Sequence, residues 1–299
     1  MSPEKKIKIA LDENRMSIMG VQILLGFQLQ APFQKMFEAM PEALKYASLA
    51  AFGLLTVAVA LLIAPSAYHR IVTSGGSEER LERSVTWLVN VALALLALAI
   101  GLDLYLVGDW VIGDAAGLLL GMGFCLIALL FWYGIELMHR GQSHPNKSLA
   151  VKDGAIKLES RIDFVLTEAR VVLPGVQALF GFQLVVVLTE AFEKLPKSSA
   201  LVHLAALAAV AISAVLLIAP AAHHRIVYGG EESEAFPPIA GAYLLGATVF
   251  LALGLAGDCY LIVAKVLDST TSGIAAAAAT AVLCLGLWHI LPLVVRRRR

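Results

Sequence analysis

The sequence predicts an all-α, polytopic membrane helix bundle. About eight transmembrane helices are expected, as two parallel four-helix repeats around a pseudo-two-fold axis along the membrane normal. Three observations lead there. Hydrophobic types make up 59% of the 299 residues and charged types 15%, where a soluble domain carries about 25% charge; the mean hydropathy is +0.79. The apolar residues run in segments approaching the roughly 20 that a spanning helix needs. Finally, a shift of 155 residues lays the second half of the chain on the first without a gap.

The eight segments can be drawn in order. They cover about 16–37, 46–72, 84–107 and 115–138, then about 170–192, 199–227, 238–263 and 272–295. Period-two alternation is absent, which argues against a barrel. The first and fifth are the weakest. Each carries glutamines and ends near acidic residues, a pattern also compatible with a helix lying in the interface. Their length and their shared Gly-Val-Gln and Gly-Phe-Gln-Leu cores favour spanning.

Charge orients these segments. Lys+Arg equals Asp+Glu at 23 each, so no global basic balance points to nucleic acid. The basic residues are nevertheless segregated. Lys5, Lys6 and Lys8 precede the first span, and Arg70, Arg80 and Arg83 follow the second. Arg140, Lys147, Lys152, Lys157 and Arg161 lie in the middle stretch, Arg225 follows the sixth span, and 296–299 are all arginine. The opposite loops are poorer in basic residues. The positive-inside bias then places both termini and the middle stretch in the cytoplasm, and an even number of spans agrees. The first fifteen residues lack an apolar core, so no cleavable leader is expected. The N-terminal arm is expected to lie along the headgroups.

The repeat extends to charged residues, which generic apolar sequence does not produce. Glu13 falls on Glu168, Arg15 on Arg170, Asp103 on Asp258 and Tyr105 on Tyr260. The stretch 61–72 matches 216–227 at ten of twelve positions. The organisation expected is a first repeat over 4–139, a cytoplasmic linker over 140–158 and a second repeat over 159–299.

Polar residues at membrane depth are the candidate functional groups, because hydrocarbon penalises them unless they face a bundle interior or a cavity. Gln22, Gln28 and Asp103 recur as Gln177, Gln183 and Asp258. Glutamines between helices are also ordinary structural hydrogen-bonding groups, worth about 1 kcal/mol per bond. The two aspartates are expected near the outer ends of the third and seventh spans. There they either couple to a proton or cation, or are simply hydrated or paired with Arg or Lys. Together with Glu38, Glu190 and Glu193 they suggest an acidic, cation-attracting cluster on the outer face.

A second signature sits at the cytoplasmic end of the second and sixth spans: Pro65, His69 and Arg70 recur as Pro220, His224 and Arg225. Proline removes a helix hydrogen bond, and His and Arg suit a helix C-terminus and the headgroups. Histidine is also a proton shuttle near neutral pH. His139 and His289 raise the alternative of a metal or haem site, but His289 falls on Gly134 in the repeat register and no HExxH or CxxC spacing is present. Cys125, Cys259 and Cys284 are scattered. No metal or other cofactor is expected. The motifs of soluble hydrolases, nucleotide binders and dinucleotide enzymes are absent, which points away from an enzyme. The arginines at 296–299 suit anionic lipids rather than nucleic acid.

The pattern formed by Glu168, Arg170, the stretch 173–184 and the stretch 216–232 resembles a family of uncharacterised small bacterial integral membrane proteins, the domain-of-unknown-function family 6328. The first half resembles a more divergent copy, with Met19 for Pro174, Tyr68 for His223 and Pro32 for Val187. The resemblance implies a tandem fusion of a four-span unit in a bacterial cytoplasmic (inner) membrane. Members are sometimes labelled sodium:proton antiporters, which adds slight weight to transport. Three functions follow as expectations. One is a proton-linked cation transporter or conducting pathway using Gln22, Gln28, Asp103, Gln177, Gln183 and Asp258. Another is a non-catalytic membrane protein that organises lipid or serves stress adaptation. The third is a haem-binding membrane redox protein. The partners expected are the bilayer and a proton or cation, with no nucleic acid. The oligomeric state is not legible in the sequence.

Overall fold

The computed structural model describes residues 3–72, 79–130, 133, 158–228 and 233–297; residues 3–16, 69–70, 79–86, 159–160 and 225–228 are described by backbone alone. The side chains of His69, Arg70 and Arg225, the stretch 140–157, and Arg298 and Arg299 therefore lie outside the described residues.

The chain is all-α and forms a multi-pass membrane helix bundle. In the first half, α1 (Pro3–Gln30) leads through a 3-10 turn (Ala31–Phe33) and a short α2 (Lys35–Glu38) to α3 (Glu42–Val72), α4 (Glu79–Val111) and α5 (Asp114–Leu129). In the second half come α6 (Leu158–Val187), the short α7 (Glu190–Glu193), α8 (Lys197–Tyr228), α9 (Phe236–Val266) and α10 (Thr270–Leu285). A π-helical turn (Gly286–Ile290) joins α10 to α11 (Leu291–Arg297). Among the described residues, six helical stretches are long and apolar enough to cross a membrane: Glu42–Tyr68, Trp87–Val111, Arg161–Val187, Lys197–His224, Phe236–Val266 and Thr270–Arg297. Asp114–Leu129 is a shorter apolar helix.

Two boundaries differ from the sequence expectation. The N-terminal arm is not a separate element: α1 is continuous over its 28 residues, about 42 Å at 1.5 Å per residue. Its first turns contain no helix breaker after Pro3, and proline at a helix start is tolerated. The fifth segment begins at Leu158 rather than near residue 170. The charged stretch before it is helical because it continues the same turn pattern as the buried stripe Val165, Ala169, Val172, Val176, Leu179, Gln183 and Val186. At the far ends of α1 and α6 the chain breaks for different reasons. Pro32 opens the 3-10 turn after α1, whereas Thr189 caps α7 by accepting the Phe192 N–H at 3.3 Å.

The helix neighbours recur in the two halves. α1 packs on α3, α3 on α4 and α4 on α5; likewise α6 packs on α8, α8 on α9 and α9 on α10. The tight turns recur too. Gly113 between α4 and α5 has φ 117°, and Asp268 at the matching place between α9 and α10 has φ 46°. Both residues close a helix C-terminus in a left-handed conformation that glycine takes freely and aspartate tolerates. Close backbone approach follows from small residues: a Cβ on Gly117 would lie 2.4 Å from the Asp109 nitrogen, and one on Gly121 2.4 Å from the Gly101 oxygen. This is the geometry by which membrane helices gain packing contact without a hydrophobic drive between them.

The halves join through α1 against α6 and through α3, which also packs on α9, the π turn and α11. The Trp288 indole N–H in that turn donates to the Ala60 carbonyl of α3 at 2.7 Å. These contacts are not mirrored: 67% of the apolar window of α3 is buried but only 33% of that of α8.

Candidate functional site

The side chains that carry polar chemistry gather near the end of the bundle opposite the chain termini. α1 and α4 bring Gln28 to Asp103, and the Gln28 amide nitrogen donates to Asp103 Oδ1. α6 and α9 bring Gln183 to Asp258, and the Gln183 Nε2 group donates to both carboxylate oxygens at 2.9 and 2.8 Å. The separation is 75 residues in both pairs. Each pair lies within its own half, and the two aspartates do not share one cluster. Asp258 stands eight residues before the end of α9 at Val266, about 12 Å along the axis. It therefore sits two turns inside the helix, because α9 runs past the predicted end at residue 263. Asp103 has the same relation to Val111 in α4.

The two pairs differ in their surroundings. In the first half the Ser48 hydroxyl donates to Gln28 Oε1 at 3.2 Å, so both ends of that amide are bonded, and Asp103 is half-buried. In the second half the position matching Ser48 is His203, and its Nε2 stands 3.0 Å from the Gln183 carbonyl oxygen. A carbonyl only accepts, so Nε2 carries the ring proton and Nδ1 is an acceptor. Among the described residues, His203 Nδ1 and Gln183 Oε1 are both buried without a partner. Asp258 is 1% exposed and Gln183 0%. The second-half cluster thus holds a carboxylate and an amide oxygen, with one amide NH2 to serve the carboxylate, and His203 is tied to the backbone of Gln183. Above it, the Ser199 and Tyr260 hydroxyls are 3.3 Å apart. Sequence reasoning missed His203; the repeat register, which sets a histidine against Ser48 in an otherwise apolar run, is the signal that finds it.

The other glutamines part company. Gln22 is buried at the crossing of α1 and α6, where a Cβ on Gly175 would stand 1.5 Å from its Oε1. Among the described residues neither end of its amide has a partner. Gln177, its match in sequence, is exposed. The crossing is off-register, because Phe182 packs over Gly26 whereas nothing lies over Gly181. The equivalence expected for this glutamine pair therefore does not extend to the fold.

The proline signature lies at the opposite end. Pro65 and Pro220 are buried inside α3 and α8, and helix continues through both. The His224 ring packs on Phe236 at 4.7 Å between centroids, a packing role at the start of α9. Glu168 of the Glu-x-Arg match is buried and lines a cavity of about 20 Å3 with Ser66 and Thr248.

The acidic outer cluster expected from sequence does not form among the described residues. Asp103 and Asp258 are taken by the glutamines, while Glu190 pairs with Lys35 at 2.8 Å across the two halves. That exposed pair raises the Lys35 pKa and lowers that of Glu190, in each case chiefly through their mutual hydrogen bond. Lys265 lies 5.4 Å over the Phe33 ring, a second cross-half contact on this side. Among the described residues no three His, Cys, Asp or Glu side chains are placed to hold a metal ion.

A family model described as "Family of unknown function (DUF6328)" matches residues 4–136 and, separately, 155–292. The chain belongs to that family. No curated protein and no solved structure matches the chain.

Proposed function

We propose that this member of the family is a proton-linked cation transporter or conducting pathway, in which the Gln183–Asp258 pair is the principal working site and Gln28–Asp103 its more exposed counterpart. The observation that carries the reading is that Asp258, 1% exposed, is served among the described residues by a single amide group. A buried carboxylate has about four acceptor positions, and leaving one charged without adequate partners costs several kcal/mol. Gln183 Nε2 supplies the donor observed to both carboxylate oxygens, and Oε1 of the same amide is a further buried acceptor. Such a set attracts a proton or a small cation. Intramembrane carboxylates that are not neutralised by Arg or Lys are the usual carriers of either.

In the same reading the two separate family matches are a tandem fusion of a four-span unit. Eight helices cross the membrane, α1 and α5 included. The termini lie in the cytoplasm of a bacterium, as the basic loops favour.

The test is cation-gradient-driven proton movement in proteoliposomes of the purified chain. Flux is expected for the wild type, with loss on Asp258→Asn and a smaller loss on Asp103→Asn. No flux under sodium or potassium gradients, or equal flux from Asp258→Asn, overturns the reading. A second reading, a non-transporting scaffold, draws on the fact that Gln28, Ser48 and Asp103 are bonded to one another. It predicts that Asp258→Asn alters stability alone.

A further inference from the structure

On the side of the bundle that carries the chain termini, the ends of α3, α6, α9 and α11 surround a cavity of about 540 Å3, within the range of about 300–1,000 Å3 typical of small-molecule sites. Its polar lining is Arg161, His289 and Arg296, and its apolar lining includes Ile71, Leu245 and Leu293. Ile71 comes from the first half and the others from the second, so the cavity is a product of the joined halves. Among the described residues neither guanidinium has a carboxylate partner. Arg161 is in the first turns of α6 and Arg296 in the last turn of α11, so both charges stand at helix ends on this side of the bundle.

His289 spends its ring proton within the protein. The Thr248 hydroxyl donates its single proton to the Leu245 carbonyl at 2.9 Å, so its 3.1 Å contact with His289 Nε2 must be accepted from the ring. Nδ1 of the neutral ring is then an acceptor, so the donors for an anion here come from the two arginines. Two guanidinium groups with no carboxylate partner among the described residues suit the oxygens of a phosphate ester, which arginine grips through parallel N–H bonds. The aliphatic wall suits hydrocarbon. We propose that this cavity binds the phosphate headgroup of an anionic phospholipid, with its acyl chains running along Leu245 and Leu293. Position 161 corresponds to Lys6 in the first half, but 289 and 296 correspond to Gly134 and Gly141. The site is therefore built once, in a chain whose sequence is otherwise doubled.

The test uses the full-length protein in phosphatidylcholine nanodiscs and reads bound lipid by native mass spectrometry and Tm by thermal unfolding. Phosphatidylglycerol is expected to be retained and to raise Tm. The double variant Arg161→Gln/Arg296→Gln should retain at least fivefold less, while Arg297→Gln, an exposed neighbour outside the lining, should match the wild type. Ala242→Leu keeps every charge but fills the cavity from one of its lining positions, and it should also lose the lipid. Unchanged retention in the double variant overturns the proposal. So does unchanged retention in Ala242→Leu, because binding would then be diffuse surface attraction. Inorganic phosphate or oleate raising Tm as much as phosphatidylglycerol also overturns it, in favour of a soluble anion or a carboxylate. Asp258→Asn should retain lipid normally, so failure of transport and failure of this site are separable.

Discussion

At the scale of single residues, the two halves use one device under different conditions. Gln183 holds a sealed carboxylate, whereas Gln28 holds a half-buried one. Removing the Gln183 donor from a buried carboxyl is expected to cost about 1–3 kcal/mol. Gln183→Leu should therefore lower Tm clearly more than Gln28→Leu, because Asp103 can recover hydration. Equal losses would show that the pairs are energetically alike. The glutamines and aspartates were legible in the sequence because the repeat register marks all four. Their pairing was not, since 75 residues separate partners on different helices, and only the packing of α1 on α4 and of α6 on α9 brings them together. His203 was hidden for another reason. It breaks the repeat, so a search for matched polar residues passes over it.

At the scale of elements, the contacts that join helices rest on small residues and on aromatic side chains with a polar tip. A methyl group on Gly117 or Gly121 would meet backbone atoms at 2.4 Å, and backbone cannot swing aside as a side chain can. Gly117→Ala and Gly121→Ala are each expected to destabilise by about 1–3 kcal/mol, the usual cost of overpacking, measurable by denaturant unfolding in detergent. Trp288→Phe removes the indole donor to Ala60 while keeping an aromatic ring. A loss of about 1 kcal/mol is expected, the ordinary net worth of one hydrogen bond. The matching position in the first half is Tyr133, whose hydroxyl donates to the Asn90 carbonyl within its own half. The substitution of one aromatic for another was visible in the sequence; which helix each would reach was not, because that depends on how the halves sit together. By contrast, the exposed Lys35–Glu190 pair is screened by solvent. Its Lys35 contribution is lost only as pH rises through the raised lysine pKa, and its Glu190 contribution only as pH falls through the lowered carboxylate pKa. Glu190→Gln should leave Tm at neutral pH unchanged.

At the scale of the whole molecule, duplication sets the plan and asymmetry sets the centre. The helix neighbours and the left-handed turns at Gly113 and Asp268 repeat, yet α3 is enclosed and α8 is not. The repeat register anticipates the first observation. It could not anticipate the second, because an apolar helix facing lipid and one facing protein have the same composition in a bilayer. The proposed eight crossings place residues 2 and 143 and the C-terminus on one side. Single cysteines introduced at Ser2 and Ser143 should react with a membrane-impermeant maleimide only from the cytoplasmic face in oriented vesicles. Labelling of the two from opposite faces would remove one crossing from the first half and the parallel arrangement with it.

The central claim is that Asp258 exchanges a proton or cation while sealed within the bundle. Carbodiimide labelling of the purified protein in lipid tests it most directly, because a hydrophobic carbodiimide modifies a protonated carboxyl in apolar surroundings. A mass increase on the peptide containing Asp258 is predicted, suppressed by rising pH or by the transported cation, and absent in Asp258→Asn. An unmodified Asp258 at every pH, in protein whose exposed carboxyls react, would contradict it and leave the Gln183–Asp258 pair as a structural tie.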